Sequence, residues 1–469
     1  MYRSLSENYS DNVACLKRAL KVEDNFDMLY KRLTVGSGEL SLFYIDGFTK
    51  DTVMQKLMMH FLSVGKIKGS ALDFMQASVP YIETEVASDI DKLVTAVMSG
   101  CTVCLGTSFG ESAIIIDTRT YPARDTEEPE GDRVMRGSRD GFVETLIFNT
   151  ALIRRRIRNP ALTMTHFSIG SDSRTDVVMC YMNDRADAKY VGFIEDKLKN
   201  IKTDSLVIGH ESLKECLIKS RWYNPFPKVR TTERPDVASA QLLEGSILLV
   251  IDNSPEVIVL PVSVFDFMQE ANDFYFPPLT GSYIRVVRYI VFFLTLIITP
   301  VWYLMLEYPQ LVPDFLTFAM PEDTGKLPVI VQLLLVEFII DALRLASLNT
   351  PNMLNNSLSV VGGLILGDFA VSIGWLIPEV ILYMAFVAIA NFTQRSYELG
   401  YAIKFLRIMW LIVTAIFGFW GFCAAFLLII VLLITNSTLN GRRNYLYPLI
   451  PFNARALLSL VVRVRKKNV

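Results

Sequence analysis

The residues with the most chemical potential lie in the apolar second half of the chain. Glu337, Asp341 and Arg344 stand at i, i+4 and i+7 of an otherwise apolar run, so a helix presents them on one face. Asp368 and Glu379 flank a second apolar stretch, broken by Gly362, Gly363, Gly367, Gly374 and Pro378. A charge at bilayer depth is costly, and where one persists it faces a bundle interior or a water-filled path. Glu337, Asp341, Arg344, Asp368 and Glu379 are therefore candidates for lining or gating an ion path. The plainer reading of Asp341 and Arg344 is a structural pair near the cytoplasmic boundary. Gly363 and Gly367 form a small-xxx-small pair suited to close helix packing.

Elsewhere the side chains offer less chemistry. The cysteines are Cys15, Cys101, Cys104, Cys180, Cys216 and Cys423, and only Cys101-Thr-Val-Cys104 has a suggestive spacing. A redox or metal centre needs a second pair or nearby histidines, and His60, His166 and His210 are far apart in sequence. No metal, cofactor or catalytic constellation is expected; no P-loop, zinc-protease or nucleophile-elbow pattern is present. The Arg154-Arg155-Arg156 run has two readings. It holds phosphate or lipid headgroups, or it is a solvated helix end that complements the helix dipole.

These residues must be positioned by two different kinds of chain. From Gly281 onward there are 9 acidic and 14 basic residues, which leaves 39 acidic and 32 basic before it. Neither part is basic enough for nucleic acid. The first part reads as ordinary globular protein, with strand-like runs at residues 39–45 (stopped by Asp46-Gly47), 102–106, 112–117, 176–182 and 246–252. Helical spacing alternates with them at 11–33, 49–63, 89–99, 142–157 and 186–201, and the charged, Pro- and Gly-containing stretch 119–140 separates two groups. This predicts a helical segment at 1–37 and two α/β subdomains at 38–130 and 131–280.

Four apolar blocks follow at 283–306, 327–348, 356–392 and 408–434. A crossing needs about 20 apolar residues, so the first, second and fourth fit one helix each. The third is too long for one and short for two. It reads as two short helices meeting near residues 375–378, or as one crossing plus a re-entrant piece. The expected class is α+β followed by a polytopic α-helical membrane domain at 281–440, with four to six crossings, and a basic tail at 441–469. Arg285, Arg288 and the basic tail against the acidic loop 307–326 put both termini in the cytoplasm. The N-terminus lacks an apolar leader, which fits a cytoplasmic first region. Residues 454–467 alternate apolar and basic side chains, the pattern of a helix on a membrane surface.

Several long motifs carry a family resemblance. Met135–Ile157 reads MRGSRDGFVETLIFNTALIRRRI; Thr232–Asp236 reads TERPD; Leu243–Gly245 and Ser254-Pro255 follow in order. Together they resemble the GerA family, the A subunits of spore germinant receptors. Within the family the segments 349–352, 357–371, 378–392, 396–401 and 445–452 are more similar to its sporulation-stage branch. Nutrient-receptor subunits carry Arg-Leu-Pro and Gly-Val-Pro-Tyr where this chain has Arg344-Leu-Ala346 and Asn444-Tyr-Leu-Tyr447. The resemblance implies a homo-oligomer in the spore inner membrane that surrounds an ion path and acts in germination. It implies a separate membrane subunit as partner, with the lipid bilayer around both. An oligomeric ion-release channel and a non-conducting scaffold or signal relay are the two functions to be weighed. A ring of identical chains would turn one acid into a ring of acids.

Overall fold

The computed structural model describes residues 4–120, 134, 137–218, 222–270, 272–349, 369–436, 439 and 445–463. Two compact units emerge, one of residues 1–220 and 229–262, the other of 221–228 and 263–469.

The first unit contains the same arrangement twice. The first copy runs α1 (Tyr9–Leu20), β1 (Met28–Val35), β2 (Gly38–Ile45), α2 (Asp51–Ser63), α3 (Ala71–Ser78), β3 (Thr84–Ala87), α4 (Ile90–Met98), β4 (Thr102–Gly106) and β5 (Ala113–Ile116). The second repeats that order with α5 (Leu146–Arg156), β6 (Leu162–Ile169), β7 (Thr175–Met182), α6 (Ala188–Lys199), α7 (Gly209–Leu217), β8 (Arg230–Thr232), α8 (Pro235–Leu243), β9 (Ile247–Ile251) and β10 (Val257–Leu260). The sheets have matching orders, β1-β2-β4-β5-β3 and β6-β7-β9-β10-β8, and every neighbouring pair is antiparallel.

Alternation along the strands explains how the first sheet is covered. Phe43, Ile45, Val103, Leu105 and Ile115 face Leu16 and Leu20 of α1 and Leu93 and Val97 of α4. Leu40, Leu42, Cys104, Ile114 and Ile116 face Leu57 and Phe61 of α2 and Phe74 of α3. Both faces are therefore buried, and the strands read as continuous apolar runs, as in parallel α/β sheets. That is why an α/β reading arises from sequence although the strands are antiparallel. The predicted helix 11–33 ends at Leu20, where Lys21 adopts φ 52°, and its last residues belong to strand β1.

The second unit is helical. It comprises α9 (Asn272–Tyr275), α10 (Pro278–Glu307), α11 (Val329–Asn349), α12 (Ala370–Ser372), α13 (Pro378–Asn391), α14 (Tyr397–Thr435) and α15 (Ala454–Val461). Among the described residues, α10 and α14 are the helices long and apolar enough to cross a membrane. The length and composition of α10 and α14 alone do not establish four to six crossings. Helix α11 has the length but carries Glu337, Asp341 and Arg344.

Helix α14 does not run straight. Gly418 has φ 59° and ψ −140°, outside helical geometry. In a straight helix Trp410 and Phe426 would lie about 24 Å apart. Their rings are 5.6 Å apart, and Trp410 is 4.9 Å from Phe422. The predicted single crossing at 408–434 is thus two arms, 397–417 and 419–435, folded back on each other at Gly418. A Cβ there would lie 2.7 Å from the Tyr308 hydroxyl, and the backbone conformation suits glycine.

Side-chain contacts give the direction of each helix. Arg407 meets Thr295, and Phe419 meets Tyr308, so α10 and the first arm run the same way. Helix α11 runs opposite to them, because Glu337 meets Arg407 and Arg344 lies over Tyr401. Helix α13 runs with α11, from the Ile377–Gln332 contact to Phe392 beside Arg344. Segment 222–228 also belongs to this unit. Asn224 Nδ2 donates to the Leu432 carbonyl (3.2 Å), and the Phe226 and Tyr445 rings are 6.2 Å apart.

Candidate functional site

Four charged side chains from α11 and the first arm of α14 meet inside the helical unit. Arg407 Nη2 donates to both Glu337 oxygens, at 2.8 and 2.9 Å, and its Nη1 donates to the Thr295 carbonyl of α10 at 2.9 Å. Lys404 Nζ lies 3.1 Å from Glu337 Oε1 and also pairs with Asp341. Glu337, Lys404 and Arg407 are buried, with 8%, 4% and 2% of their surface exposed. The arrangement follows from helix geometry: 337 and 341 share a face of α11, while 404 and 407 share a face of the first arm. Two acids meet two bases, so the cluster is neutral. Burying either sign alone would leave an uncompensated charge at a cost of about 3–5 kcal/mol.

The proposed path residues therefore divide. Glu337 and Asp341 are brought together, but each is paired with a base that the sequence reading had not singled out. Lys404 and Arg407 precede the apolar run 408–434, and their spacing of three was the available signal. Arg344 does not pair with Asp341 in the structure; its guanidinium lies over the Phe392 and Tyr401 rings, 5.0 and 5.7 Å from their centroids. Cation–π contact holds it there. Glu379 sits in the first turn of α13, where a carboxylate complements the helix N-terminus. Asp368, Gly363 and Gly367 lie outside the described residues.

A polar clamp sets the far end of this bundle. Gln332 is fully buried; its Nε2 donates to the Thr324 and Leu327 carbonyls (2.9 and 2.8 Å), and its Oε1 accepts from Ile377 N–H (2.9 Å). The Lys326 amide and ammonium donate to the Gly374 and Ile373 carbonyls. These bonds fix the broken region 373–377 against the start of α11. Trp302, Leu333, Val336, Leu376, Val380, Met384 and Leu411 pack beside it.

In the first unit the motif residues build scaffold. Arg154 is fully buried and belongs neither to a solvated helix end nor to a headgroup site. Its Nε and Nη2 donate to Asp27 (2.9 and 2.8 Å), Nη2 also to Asn25 Oδ1 (3.2 Å), and Nη1 to the Leu162 carbonyl (3.0 Å). It thereby ties the second repeat to the segment that precedes β1. Arg156 pairs with Asp140, Arg234 pairs with Asp236 and donates to the Ser138 carbonyl, and buried Asn149 brackets Val143. The motifs around 137–157 and 232–236 thus knot one corner of the second repeat.

Neither cysteines nor acids in this unit form a reactive centre among the described residues. Burial pushes the Cys101 thiol up to about 11, and the Cys104 and Cys180 thiols higher still. A cavity of about 640 Å³ beside β3 and α4 is lined by Glu83, Glu85, Asp89, Asp91 and Asp117. Lys92 pairs with Glu85 there, and the Arg119 guanidinium holds the Asp117 carboxyl below its usual range. No group of three or more His, Cys, Asp or Glu with metal-holding geometry occurs among the described residues.

A doubled antiparallel α+β unit followed by a helical unit with a buried charge cluster is the frame of a chain that belongs to the Bacillus/Clostridium GerA spore germination protein family, whose profile matches residues 14–469. Stage V sporulation protein AF of Bacillus subtilis (strain 168) is 34% identical over 98% of this chain and 93% of its own length. Spore germination protein A1 of the same organism is 28% identical over 98% of this chain and 95% of its own length. The crystal structure of the N-terminal domain of the A subunit of the Bacillus megaterium spore germinant receptor GerK3 aligns with 55% of this chain and 95% of that one. Identity is 23% and the TM-score 0.41.

Proposed function

We propose that this chain is a membrane subunit of a homo-oligomeric ion-release channel that acts in spore germination, seated in the spore inner membrane with both termini cytoplasmic. The observation that carries the reading is the Glu337–Asp341–Lys404–Arg407 cluster. Four charges are kept inside a helix bundle at high cost, held by pairs that a small relative shift of α11 and the first arm would exchange or open. Copies arranged in a ring would release acids towards a shared axis. A separate membrane subunit of the germination machinery supplies the trigger.

The directions of the helices support six crossings. Helices α10, α11, α13 and the two arms of α14 make five traverses between the Arg285 end and the Tyr308 end. An even total keeps both termini on one side.

The test is cation release from spores carrying Asp341→Asn, the half-buried acid of the cluster, at normal protein level. Altered release on germination is expected, and wild-type release sinks the path assignment. A second reading, a non-conducting scaffold or relay, is favoured by the neutrality of the cluster. Reconstituted oligomers that pass no ions would select it.

A further inference from the structure

We propose that the junction between the start of α10 and α15 binds the phosphate of an anionic phospholipid. The two helices are pinned together there: Arg285 Nη1 donates to the Ser459 carbonyl (3.0 Å), and the Arg463 amide donates to Ser282 Oγ (2.9 Å). Gly281 admits this approach, since a Cβ would lie 2.4 Å from the Asp273 carbonyl and 3.2 Å from the Arg463 side chain. Two guanidinium nitrogens at this junction, Arg285 Nη2 and Arg463 Nη1, are buried without a hydrogen-bond partner among the described residues. Arg285 is 4% exposed.

Asp273 does not absorb these donors. It accepts from Arg285 Nε (3.2 Å) and from Arg288 Nη1 and Nη2 (2.8 and 3.0 Å), while Arg288 also reaches Glu270 (2.8 Å). Arg285 and Arg288 face Asp273 and Glu270, so those two acids are already engaged and do not serve Arg285 Nη2 or Arg463 Nη1. A buried charged donor without an acceptor is costly, and a phosphate oxygen has the charge and the lone pairs to meet two such donors.

The surroundings select a lipid over a free anion. Phe274, whose ring centroid lies 4.7 Å from the Arg285 guanidinium, Leu279 and Tyr283 at the start of α10, and Leu458 next to Ser459 on α15 are all exposed. Apolar and aromatic side chains so placed match the interfacial layer of a bilayer, with the phosphate at headgroup depth and acyl chains over the rings. The proposal rests on the membrane reading of this unit and is independent of ion conduction.

The full-length chain, delipidated in a neutral detergent, can be titrated by native mass spectrometry with phosphatidylglycerol, phosphatidylcholine and inorganic phosphate. Phosphatidylglycerol is expected to bind about tenfold more tightly than phosphatidylcholine, whose choline cation offsets the charge of the same phosphate and is repelled by the arginines. Arg463→Gln, which keeps the backbone bond to Ser282, should erase the difference at unchanged melting temperature. Arg285→Lys, which keeps a cation beside Asp273, should reduce it. Equal binding of the two lipids, or an unchanged preference in Arg463→Gln, overturns the proposal. Displacement of the lipid by millimolar inorganic phosphate would overturn the lipid assignment in favour of a free-anion site.

Discussion

Arg407 shows how one side chain can decide the chemistry of others. Its bidentate contact with Glu337 places a base against an acid that the sequence offers as a path residue. Truncating one partner strands the other, so Glu337→Gln and Arg407→Gln should each destabilise the chain by about 3–5 kcal/mol. The double variant should lose less than the sum, as a double-mutant cycle on detergent-purified protein would measure. The thiols give a second outcome. At neutral pH a maleimide should label exposed Cys216 and spare Cys101, Cys104 and Cys180, read by peptide mapping. The folded Cys101 value, about 11, lies above the ordinary 9.0. The stability linked to it is full below pH 9.0 and is lost as pH rises towards about 11, which a melting series across that interval would record.

At the scale of elements, the sequence was most legible where a local pattern decides. Strands β4, β7 and β9 and helices α2, α4 and α6 lie within about two residues of their predicted ranges, because the strands are short continuous apolar runs and the helices carry apolar residues at a spacing near 3.6. Strand direction was not legible, since strands buried on both faces read alike whether parallel or antiparallel. The duplication escaped because the two repeats share a topology and no recurrent motif. The Arg154 clamp escaped because three adjacent arginines look like a surface run, and only packing shows which one turns inward. Arg154→Met should lower the melting temperature of the full chain by an amount equivalent to about 3–5 kcal/mol. The hairpin in α14 hides inside an apolar run, where Gly418 and Gly421 among many hydrophobics give no period to read. Gly418→Ala meets both a forbidden backbone angle and the Tyr308 hydroxyl, so a lower melting temperature and loss of Trp410 burial, followed by fluorescence, are expected.

For the whole molecule, the consequential quantity is the number of crossings. The proposed topology, six crossings with both termini cytoplasmic, would place the 309–323 loop outside and the start of α15 inside. A cysteine at Asp314 should react with a membrane-impermeant maleimide in intact cells. One at Asn453 should react only after permeabilisation. Reaction of both from the same side without permeabilisation would leave the topology wrong.

The neutral cluster also sets an order of assembly. Helix α11 emerges from the ribosome with two acids and the first arm of α14 with two bases, some 60 residues later in the chain. Each set alone is unwelcome in hydrocarbon, by about 2.5–3.5 kcal/mol for a central charge on insertion scales. Helix α11 is therefore best kept at the edge of the insertion machinery until its partner arrives. The arms of α14, joined by an uncharged turn, can enter as a ready-made hairpin. Biogenesis would then proceed by pairing, with the lateral gate holding one helix in waiting until its counter-charges are synthesised.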